Sequence, residues 1–458
     1  MKKTPPFFLL ILGASGNLAA HKLYPALYEL AEASVFPEYF QIVGYGRDVW
    51  SQEEFHAHIA NSIQASGKIV QEHVFQKLIS HVTYIQGNHI EVPTLEKIFT
   101  EKNALFGKQN IQSLVYFALP PNALLSSVHA LRACKEMNLH YIFEKPFGEN
   151  SIQAEQLFKE VKKDIPEEAL FLLDHYLGKH EVQSLIELKE NNPLFQKLLA
   201  PDDIENIQIS ALEEEGIGLR GEYFDPTGTY KDMLQSHLIE LLAILVMETS
   251  HNSSTSDFRK RKLKMLKSFT PPHDCSQIVF GQYESYLQEK FVPQNSNQNT
   301  FVALPLFSKN KKWEHVHFFL RTGKMLEKKA TYIAITYKRK NKNQLPTQLI
   351  LEIYPMHQIR FLFSTGNKGQ STASLPLPCY LPHCLNDYAS LLKDALQGDQ
   401  KYFLTPEDVI ASWKLFESTV CLIHQQTKTR IYKDHSQGPS AQHTLLEKFG
   451  TSWYSLPS

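Results

Sequence analysis

Short apolar runs alternate with helical patterns along the first third of the chain. Each run ends in a polar or glycine-containing turn, and a helical pattern follows. The runs cover residues 7–12, 41–43, 114–119, 141–143 and 169–173. Continuous apolar strands that alternate with helices are typical of a parallel, doubly wound sheet covered on both faces. We therefore predict a Rossmann-type dinucleotide-binding domain over residues 1–175, with ligands at the carboxyl ends of its strands.

The pattern changes beyond about residue 200, where apolar and polar residues alternate as they do in half-exposed antiparallel strands. Segments of this kind cover residues 320–338 and 347–363, helical spacing returns at 386–400 and 405–423, and polar breaks at 248–257 and 292–300 predict mobile loops. We predict an α+β domain over residues 176–458 with a large, mainly antiparallel sheet and helices. The predicted fold class is therefore α/β plus α+β.

Composition and charge exclude several classes of partner. A chain of 458 residues is too long for one ordinary core. Its 43% apolar and 21% charged residues are typical of a globular protein. A net charge of −1 creates no field that favours nucleic acid or an anionic membrane. No stretch approaches the ~18 apolar residues of a membrane span. We therefore expect no nucleic-acid partner and no membrane partner.

The five cysteines are scattered, include no C-x-x-C pair and leave an odd one over. This usage fits a reducing, cytoplasmic location, and it predicts neither a disulfide framework nor a metal site. The first letters, MKKTPPFFLLILGASG, imitate a secretory signal. The apolar run spans only residues 7–12, however, and a glycine turn follows at once, which favours a first buried strand.

The first predicted strand is followed by GASGNL, which departs from G-x-G-x-x-G at Ser15 and Leu18. Alone the motif is weak, but it lies in the first strand-to-helix turn. Backbone N–H groups at the start of that helix can bind a pyrophosphate, assisted by the helix dipole. An ordinary tight turn is the alternative. The predicted cofactor-binding residues of this turn are Gly13, Ala14, Ser15, Gly16, Asn17 and Leu18.

Arg47 ends the second predicted strand, where NAD enzymes usually carry an acid for the ribose 2′-hydroxyl. An arginine there can pair with a 2′-phosphate instead, which predicts NADP as the cofactor. Asp48 complicates this prediction, because a carboxylate that points toward the phosphate would repel it and make NAD acceptable. An arginine that is simply on the surface is the remaining alternative.

The letters FLLDHYLGK place four polar groups behind an apolar run. His175, Tyr176 and Lys179 offer donors suited to a phosphate or a sugar hydroxyl. Asp174, at the strand end, is better placed to orient a base than to touch an anion. A strand terminus with solvated polar residues is the alternative, which the density of the cluster disfavours.

A second cluster lies in KDMLQSHLIELLAILVME. Met233, His237, Leu241 and Ile244 follow helical spacing, so His237 projects from an apolar stripe. A lone histidine on such a face is more often a core residue than a catalyst. A catalytic role for His237 competes with that interpretation.

Five motifs of the chain resemble those of the glucose-6-phosphate dehydrogenase family. The family's strings are approximately GASGDLAxxK, EKPFG, RIDHYLGKE, YFDxxGxxRDMxQNHLxQLL and FxRxGKxL. They stand here, in the same order, as GASGNLAAHK, EKPFG, LLDHYLGKH, YFDPTGTYKDMLQSHLIELL and FFLRTGK. Similar texture continues to about residue 425, so the resemblance covers most of the chain. Five ordered motifs of this length are very specific.

The resemblance implies oxidation of β-D-glucose 6-phosphate at C1 with hydride transfer to NADP, in the oxidative pentose phosphate pathway. By this analogy His237 is the general base, and Asp174 orients it and stabilises its imidazolium form. The substrate-binding residues that the resemblance implies are His175, Tyr176, Lys179, Glu213, Asp232, Lys324 and Lys145. On the cofactor side it implies Lys22, Arg47 and Lys145. It also implies a homodimer or homotetramer joined through the large sheet.

The chain departs from the family's motifs around the principal residues. The replaced family residues are an aspartate at Asn17, arginines at Leu172 and Lys231, an asparagine at Ser236, a glutamate at His180 and a serine or threonine at Asp48. A glutamine expected in EIYPMHQ is also missing. These changes leave two alternatives, a dehydrogenase of another hexose phosphate that prefers NAD and a non-catalytic regulatory relative that binds a nucleotide or a sugar phosphate. Retention of Asp174 and His237 argues against the second, because binding alone has no use for a base and its orienting group.

Overall fold

The chain folds into two compact units. The computed structural model describes residues 3–87, 91–250, 254–339, 341, 344–365, 369–377, 384–426 and 429–456, without the side chains of residues 418 and 420–426. The first unit comprises residues 1–183, 254–259 and 379–410, and the second comprises residues 184–253, 260–378 and 411–458.

Within the described residues, the first unit contains a six-stranded parallel sheet. Its strands are β1 (Phe7–Leu12), β2 (Phe40–Gly46), β3 (Val82–Gln86), β4 (Gln112–Phe117), β5 (Leu139–Phe143) and β6 (Leu170–Leu172). They lie in the order β3-β2-β1-β4-β5-β6, which is the order of doubly wound nucleotide-binding sheets. All of β1 is buried, as expected of a central strand covered on both faces. The predicted Rossmann-type sheet is confirmed.

The second unit contains, in the part of the chain that is described, a ten-stranded mixed sheet. Its strands are β7 (Ile204–Leu212), β8 (Phe269–Thr270), β9 (Val279–Tyr283), β10 (Phe301–Ser308), β11 (His317–Gly323), β12 (Ala330–Tyr337), β13 (Gln348–Tyr354), β14 (Gln358–Ser364), β15 (Gln370–Pro376) and β16 (Arg430–Tyr432). The order is β15-β14-β13-β12-β7-β11-β10-β9-β16, and β8 pairs with β10. The β7–β11 and β9–β16 pairs are parallel and the other pairs are antiparallel, which confirms the predicted large, mainly antiparallel sheet.

Helices connect the strands of both sheets. They are α1 (Tyr24–Glu32), α2 (Gln52–Ala65), α3 (Glu72–Ile79), α4 (Val92–Phe106), α5 (Leu124–Ala133), α6 (Ser151–Val161), α7 (His175–Gly178), α8 (His180–Asn191), α9 (Pro193–Leu198), α10 (Gly221–Thr229), α11 (Ile239–Val246), α12 (Thr255–Leu266), α13 (Asp387–Leu396), α14 (Pro406–Gln426) and α15 (Ala441–Glu447). Two further segments, Ala19–Leu23 and Tyr230–Leu238, are π-helical. No helix in the described part of the chain combines the length and the apolar character that crossing a membrane requires.

The predicted C-terminal helices are present as α13 and α14, and side chains cap the start of each. Asn386 accepts a hydrogen bond from the N–H of Ala389 at 2.9 Å. Thr405 and Asp408 bond each other's backbone N–H groups at the start of α14, in the manner of a capping box. The predicted loop at 248–257 is shorter than expected because α12 begins at Thr255, and residues 251–253 lie outside the described residues.

The cysteines differ in part from the expectation of reduced thiols. Cys134 and Cys275 are free thiols. Cys384, by contrast, is disulfide-bonded. The expectation of reduced cysteines is therefore wrong for Cys384.

Candidate active site

The turn after β1 has the close backbone packing that a pyrophosphate site requires. Gly13 has a φ of +86°, and a Cβ there would lie 2.3 Å from the carbonyl oxygen of Ala118, so that only glycine fits. The Gly13 N–H donates to the carbonyl of Tyr45 at 2.8 Å, which fixes the turn against β2. The π-helical segment Ala19–Leu23 then begins the helix that leads into α1. Of the other predicted residues, Ala14 is buried, Asn17 is exposed, and Ser15, Gly16 and Leu18 are half-buried.

Arg47 and Asp48 follow the end of β2 and differ in exposure. Arg47 is exposed, whereas Asp48 is half-buried. The hydroxyl of Tyr84 donates to the carbonyl of Asp48 at 2.7 Å, which fixes this backbone against β3. Burial lowers the pKa of His58 in α2, and the charge of Asp48 opposes that effect. The Asp48 carboxylate therefore lies within electrostatic range of α2.

A lysine–carboxylate pair lies beyond the carboxyl ends of β5 and β6. Phe143 and Leu172, the last residues of these strands, are register partners. Lys145 and Asp174 each follow two residues later, and Lys145 Nζ lies 2.5 Å from Asp174 Oδ2. Asp174 Oδ1 accepts the N–H of Tyr176 at 3.0 Å and thereby caps α7. The predicted polar strand end is thus a buried carboxylate with two donors already bound.

The donors of DHYLGK cluster on and next to α7. The His175 ring lies 5.1 Å from the Tyr176 ring in a T-shaped arrangement, and Lys179 Nζ lies 5.1 Å from the centre of the same ring. A Cβ on Gly178 would lie 2.1 Å from the carbonyl oxygen of Asp387, so α7 packs tightly against the start of α13. The structure brings the three donors together, and their binding of a phosphate stays a prediction.

Three residues that the sequence analysis missed lie beside this pair. The hydroxyl of Tyr116, in β4, donates to the carboxyl group of Glu144, and the hydroxyl of Tyr388, in α13, is hydrogen-bonded to the same carboxyl group. Burial raises the pKa of Glu144 to about 7, while both tyrosines and Lys145 act in the opposite direction and the charge of Asp174 adds to the increase.

Tyr388 also contacts residues predicted for both ligands. Its ring stacks on that of His175 at 6.2 Å, and Lys22 Nζ lies 5.6 Å from its centre. The position of Glu144 at the start of the EKPFG motif was the one feature of the sequence that could have pointed to it. Nothing in the local pattern pointed to Tyr388, because it reaches this place from a helix far along the chain.

The second unit contains another lysine–carboxylate pair at the ends of parallel strands. Leu212 of β7 and Gly323 of β11 are register partners, and Glu213 and Lys324 are the next residues. The Glu213 N–H donates to the carbonyl of Gly323 at 2.9 Å, and the Lys324 ammonium forms an ion pair with the Glu213 carboxylate. Lys324 is buried, and its Nζ lies 5.4 Å from the centre of the Phe224 ring.

Asp232 and His237 lie on the π-helical segment Tyr230–Leu238. Residues five apart point to different sides of an α-helix, which has 3.6 residues per turn. The i→i+5 hydrogen bonding of a π-helix brings such residues to one side, so Asp232 and His237 share a side of this helix. His237 is buried and Asp232 is half-buried.

The helix that carries His237 is buried on all sides, whereas the sequence predicted a single apolar face. Every residue from 233 to 247 is buried, so that no polar face remains over that length. The Tyr230 hydroxyl donates to the carbonyl of Phe416 at 2.9 Å, and the Gln235 amide donates to the Ser412 hydroxyl at 2.8 Å. Both bonds fix the π-helix against α14.

The structure therefore arranges the predicted residues as two sets. One set lies in the first unit, namely Lys22, Arg47, Lys145, Asp174, His175, Tyr176, Lys179 and the turn at 13–18. The other lies in the second unit, namely Glu213, Asp232, His237 and Lys324. The pairing of Asp174 with His237 joins one set to the other and stays a prediction.

A Rossmann-type sheet with a lysine–carboxylate pair beyond two of its strand ends, together with a histidine on a buried helix, is typical of the class of nicotinamide-dependent dehydrogenases. Two family models match the chain, "Glucose-6-phosphate dehydrogenase, NAD binding domain" over residues 10–184 and "Glucose-6-phosphate dehydrogenase, C-terminal domain" over residues 186–454. The chain belongs to the glucose-6-phosphate dehydrogenase family, as its five motifs predicted.

Individual relatives match along nearly their whole length. The chain is 30% identical to the glucose-6-phosphate 1-dehydrogenase of Chlamydia muridarum, over 98% of this chain and 97% of that protein. It is 28% identical to the glucose-6-phosphate 1-dehydrogenase of Bacillus subtilis, over 99% of both chains. The chain is also similar to a solved structure of glucose-6-phosphate dehydrogenase in complex with its substrate glucose-6-phosphate, with 27% identity and a TM-score of 0.89. The match covers 99% of this chain and 100% of that chain.

Proposed function

We propose that this chain oxidises C1 of β-D-glucose 6-phosphate to 6-phosphoglucono-δ-lactone and reduces NADP. The observation that carries the proposal is the match of both domains of the family along nearly the whole chain. Two lysine–carboxylate pairs at strand ends and a histidine on a buried helix supply the groups that such a reaction needs.

A bound nicotinamide cofactor supplies the hydride acceptor. The turn after β1 suits its pyrophosphate, because the backbone at Gly13 packs so closely on Ala118 that a side chain would fill the space. In this proposal the turn at 13–18, Lys22, Arg47 and Lys145 hold the cofactor.

His237 removes the proton of the C1 hydroxyl. A sugar hydroxyl is a weak acid, and an imidazole is the side chain whose ordinary pKa suits a base near neutral pH. Asp174 orients this imidazole and stabilises the imidazolium form that results. The carboxylate of Asp174 is suited to that task because its Oδ1 and Oδ2 are fixed by Tyr176 and Lys145.

The substrate is held at its two ends. His175, Tyr176 and Lys179 donate to the 6-phosphate, whose binding energy, remote from the reacting carbon, positions C1. Glu213 and Asp232 accept hydrogen bonds from sugar hydroxyls. Lys324 acts chiefly through Glu213, because its side chain is buried and ion-paired with that carboxylate.

NADP is the proposed coenzyme, with NAD as the alternative. An exposed arginine at the end of β2 favours a 2′-phosphate. The half-buried Asp48 weakens this preference, because its carboxylate adds negative charge at the same strand end. A cytoplasmic location and a homodimer or homotetramer also belong to the proposal and rest on the sequence and the resemblance.

The decisive assay supplies the purified chain with glucose 6-phosphate and either NADP or NAD, and follows the reduced nicotinamide. Turnover with NADP supports the proposal. Turnover only with another hexose phosphate would assign a different substrate. Binding of nucleotide and sugar phosphate without turnover under any condition would favour a regulatory relative.

A further inference from the structure

We propose that Glu144 is a positioning residue, whose carboxyl group sets the charge beside the Lys145–Asp174 ion pair and thereby the rate of the reaction. The proposed function gives Glu144 no ligand to bind, and we propose that it acts through its neighbours. The inference rests on the proposed function, because that function assigns the task of the ion pair.

The groups around Glu144 fix its carboxyl group from several elements. Tyr116 approaches from β4 and Tyr388 from α13, and each hydroxyl is hydrogen-bonded to the carboxyl group. Lys145 is its neighbour in sequence, and Asp174 approaches from the start of α7. Two acids therefore surround one ammonium group, while Lys145 Nζ is in direct contact with Asp174 at 2.5 Å.

The protonation of Glu144 changes the net charge of this cluster. With Glu144 neutral, the charges of Lys145 and Asp174 cancel. With Glu144 ionised, the cluster carries one negative charge. Because burial raises the pKa of Glu144 to about 7, the change falls in the neutral range rather than below pH 5.

A negative cluster favours the proposed chemistry. Asp174 is proposed to stabilise the imidazolium form of His237, and a second negative charge beside Asp174 adds to that stabilisation. The rate should therefore rise with pH as Glu144 ionises, in addition to the rise caused by deprotonation of the base itself.

The pH profile of kcat/KM tests this inference through two substitutions of Glu144. Glu144→Gln keeps the size and one acceptor but cannot ionise. In a plot of log kcat/KM against pH, the acid limb is the part in which the value falls as the pH is lowered. For the parent we expect the slope of this limb to be greater than one. For Glu144→Gln we expect a slope of about one. At pH 8 we expect kcat to be lower by about tenfold, with a KM for glucose 6-phosphate within about threefold of the parent. Glu144→Asp, which keeps the ionisable group, should retain the steeper limb.

A buried acid elsewhere provides the matched control. Asp394, also in the first unit, has a pKa raised to about 7 mainly by burial, and no part of the proposed mechanism involves it. Asp394→Asn should leave the profile of kcat/KM unchanged.

Tyr388→Phe provides a second test that keeps the carboxyl group. The Tyr388 hydroxyl lowers the pKa of Glu144, so its loss should move the acid limb to higher pH by roughly half a unit or more. Thermal unfolding of every variant shows which are folded.

Two failures can be told apart. A parent chain without turnover at any pH overturns the proposed function. If the parent turns over and Glu144→Gln has the same acid-limb slope and the same kcat as the parent, the role of Glu144 is overturned and the proposed function is not. If Glu144→Gln does not fold, an unmoved limb in Tyr388→Phe overturns the role as well.

Discussion

The two units place the same pair of charges at the same kind of position. In the first unit Lys145 and Asp174 each follow the register-paired ends of β5 and β6 by two residues. In the second unit Glu213 and Lys324 each follow the register-paired ends of β7 and β11 by one residue. Both pairs of strands are parallel, and the carboxyl ends of parallel strands meet at one edge of a sheet, where ligands bind.

The pairs differ in which charge is exposed. In the first pair the Asp174 side chain is 0% exposed and that of Lys145 is 22% exposed. In the second pair the Lys324 side chain is 2% exposed and that of Glu213 is 26% exposed. The first pair thus presents a cation and the second presents a carboxylate. A cation suits the phosphates of a nucleotide or sugar phosphate, and a carboxylate suits sugar hydroxyls. The buried partner in each pair fixes the exposed one.

In the proposed mechanism His237, and neither of the two pairs, removes the proton, and this assignment predicts the largest effect. His237→Asn keeps the size of the side chain but removes the base, so we expect kcat to fall by ~10²–10⁴ while substrate binding is largely kept. Steady-state kinetics with glucose 6-phosphate and NADP measure this change.

The control for His237 is a histidine of β5. His140→Asn removes a half-buried imidazole whose pKa is lowered by burial, and it should leave kcat within about twofold. A normal kcat in His237→Asn would remove this residue from the mechanism and would require a base from one of the two pairs.

The difference in exposure predicts unequal effects of two matched substitutions. Lys145→Met leaves Asp174 as a buried charge without its ion-pair partner, and we expect a loss of about 3–5 kcal/mol in the free energy of unfolding. Lys324→Met leaves Glu213 partly exposed to water, and we expect a loss of about 1 kcal/mol. Urea-induced unfolding measures both. Equal losses would show that exposure does not distinguish the pairs.

The apolar pattern pointed to Asp174 at a strand end but to no member of the second pair, for a physical reason; Lys145 came from the resemblance, and neither ion pair was predicted. The apolar runs that form β5 and β6 end just before Lys145 and Asp174, and in a parallel sheet the ends of such runs converge. The second pair depends on parallel pairing of β7 with β11, two strands distant in sequence. Local patterns do not specify that pairing, so the resemblance alone suggested Glu213 and Lys324.

Backbone geometry limited the prediction elsewhere. The spacing around His237 indicated an α-helix, whereas the structure has a π-helix there, which changes the residues that share a side with His237. The edge strand β3 was missed because its five residues mix buried and exposed positions without a continuous apolar run. Tyr388 was missed because its contact with Glu144 is purely tertiary.

Asp394 has a longer lysine contact than the carboxylates of the two pairs, and its titration makes the stability of the chain depend on pH. Lys393 Nζ lies 3.6 Å from Asp394, and burial raises the pKa of Asp394 to about 7. The folded chain therefore binds this proton more tightly than the unfolded chain, for which the pKa is about 3.9. The resulting stabilisation is complete below pH 4 and is lost as the pH rises to 7.

Asp394→Asn removes that titration. Between pH 4 and pH 8 the stability of the variant relative to the parent should rise by about 2–4 kcal/mol. Urea-induced unfolding across this range measures the difference. A constant difference would mean that Asp394 is ionised in the folded chain throughout, as a carboxylate in close contact with a lysine is expected to be.

A cation and a carboxylate also meet at the end of β2, where Arg47 and Asp48 are neighbours in sequence and Arg47 is the exposed member. If exposure decides which charge a ligand meets, Arg47 governs recognition of a 2′-phosphate and Asp48 only weakens it. Asp48→Ser should therefore raise the preference for NADP over NAD by about fivefold, roughly 1 kcal/mol. The ratio of kcat/KM for the two coenzymes measures this shift. Glu38→Ser, which removes an exposed acid just before β2, should leave the ratio unchanged. An unchanged ratio in Asp48→Ser would show that its carboxylate does not act on the coenzyme, and coenzyme choice would then depend on Arg47 and the turn at 13–18.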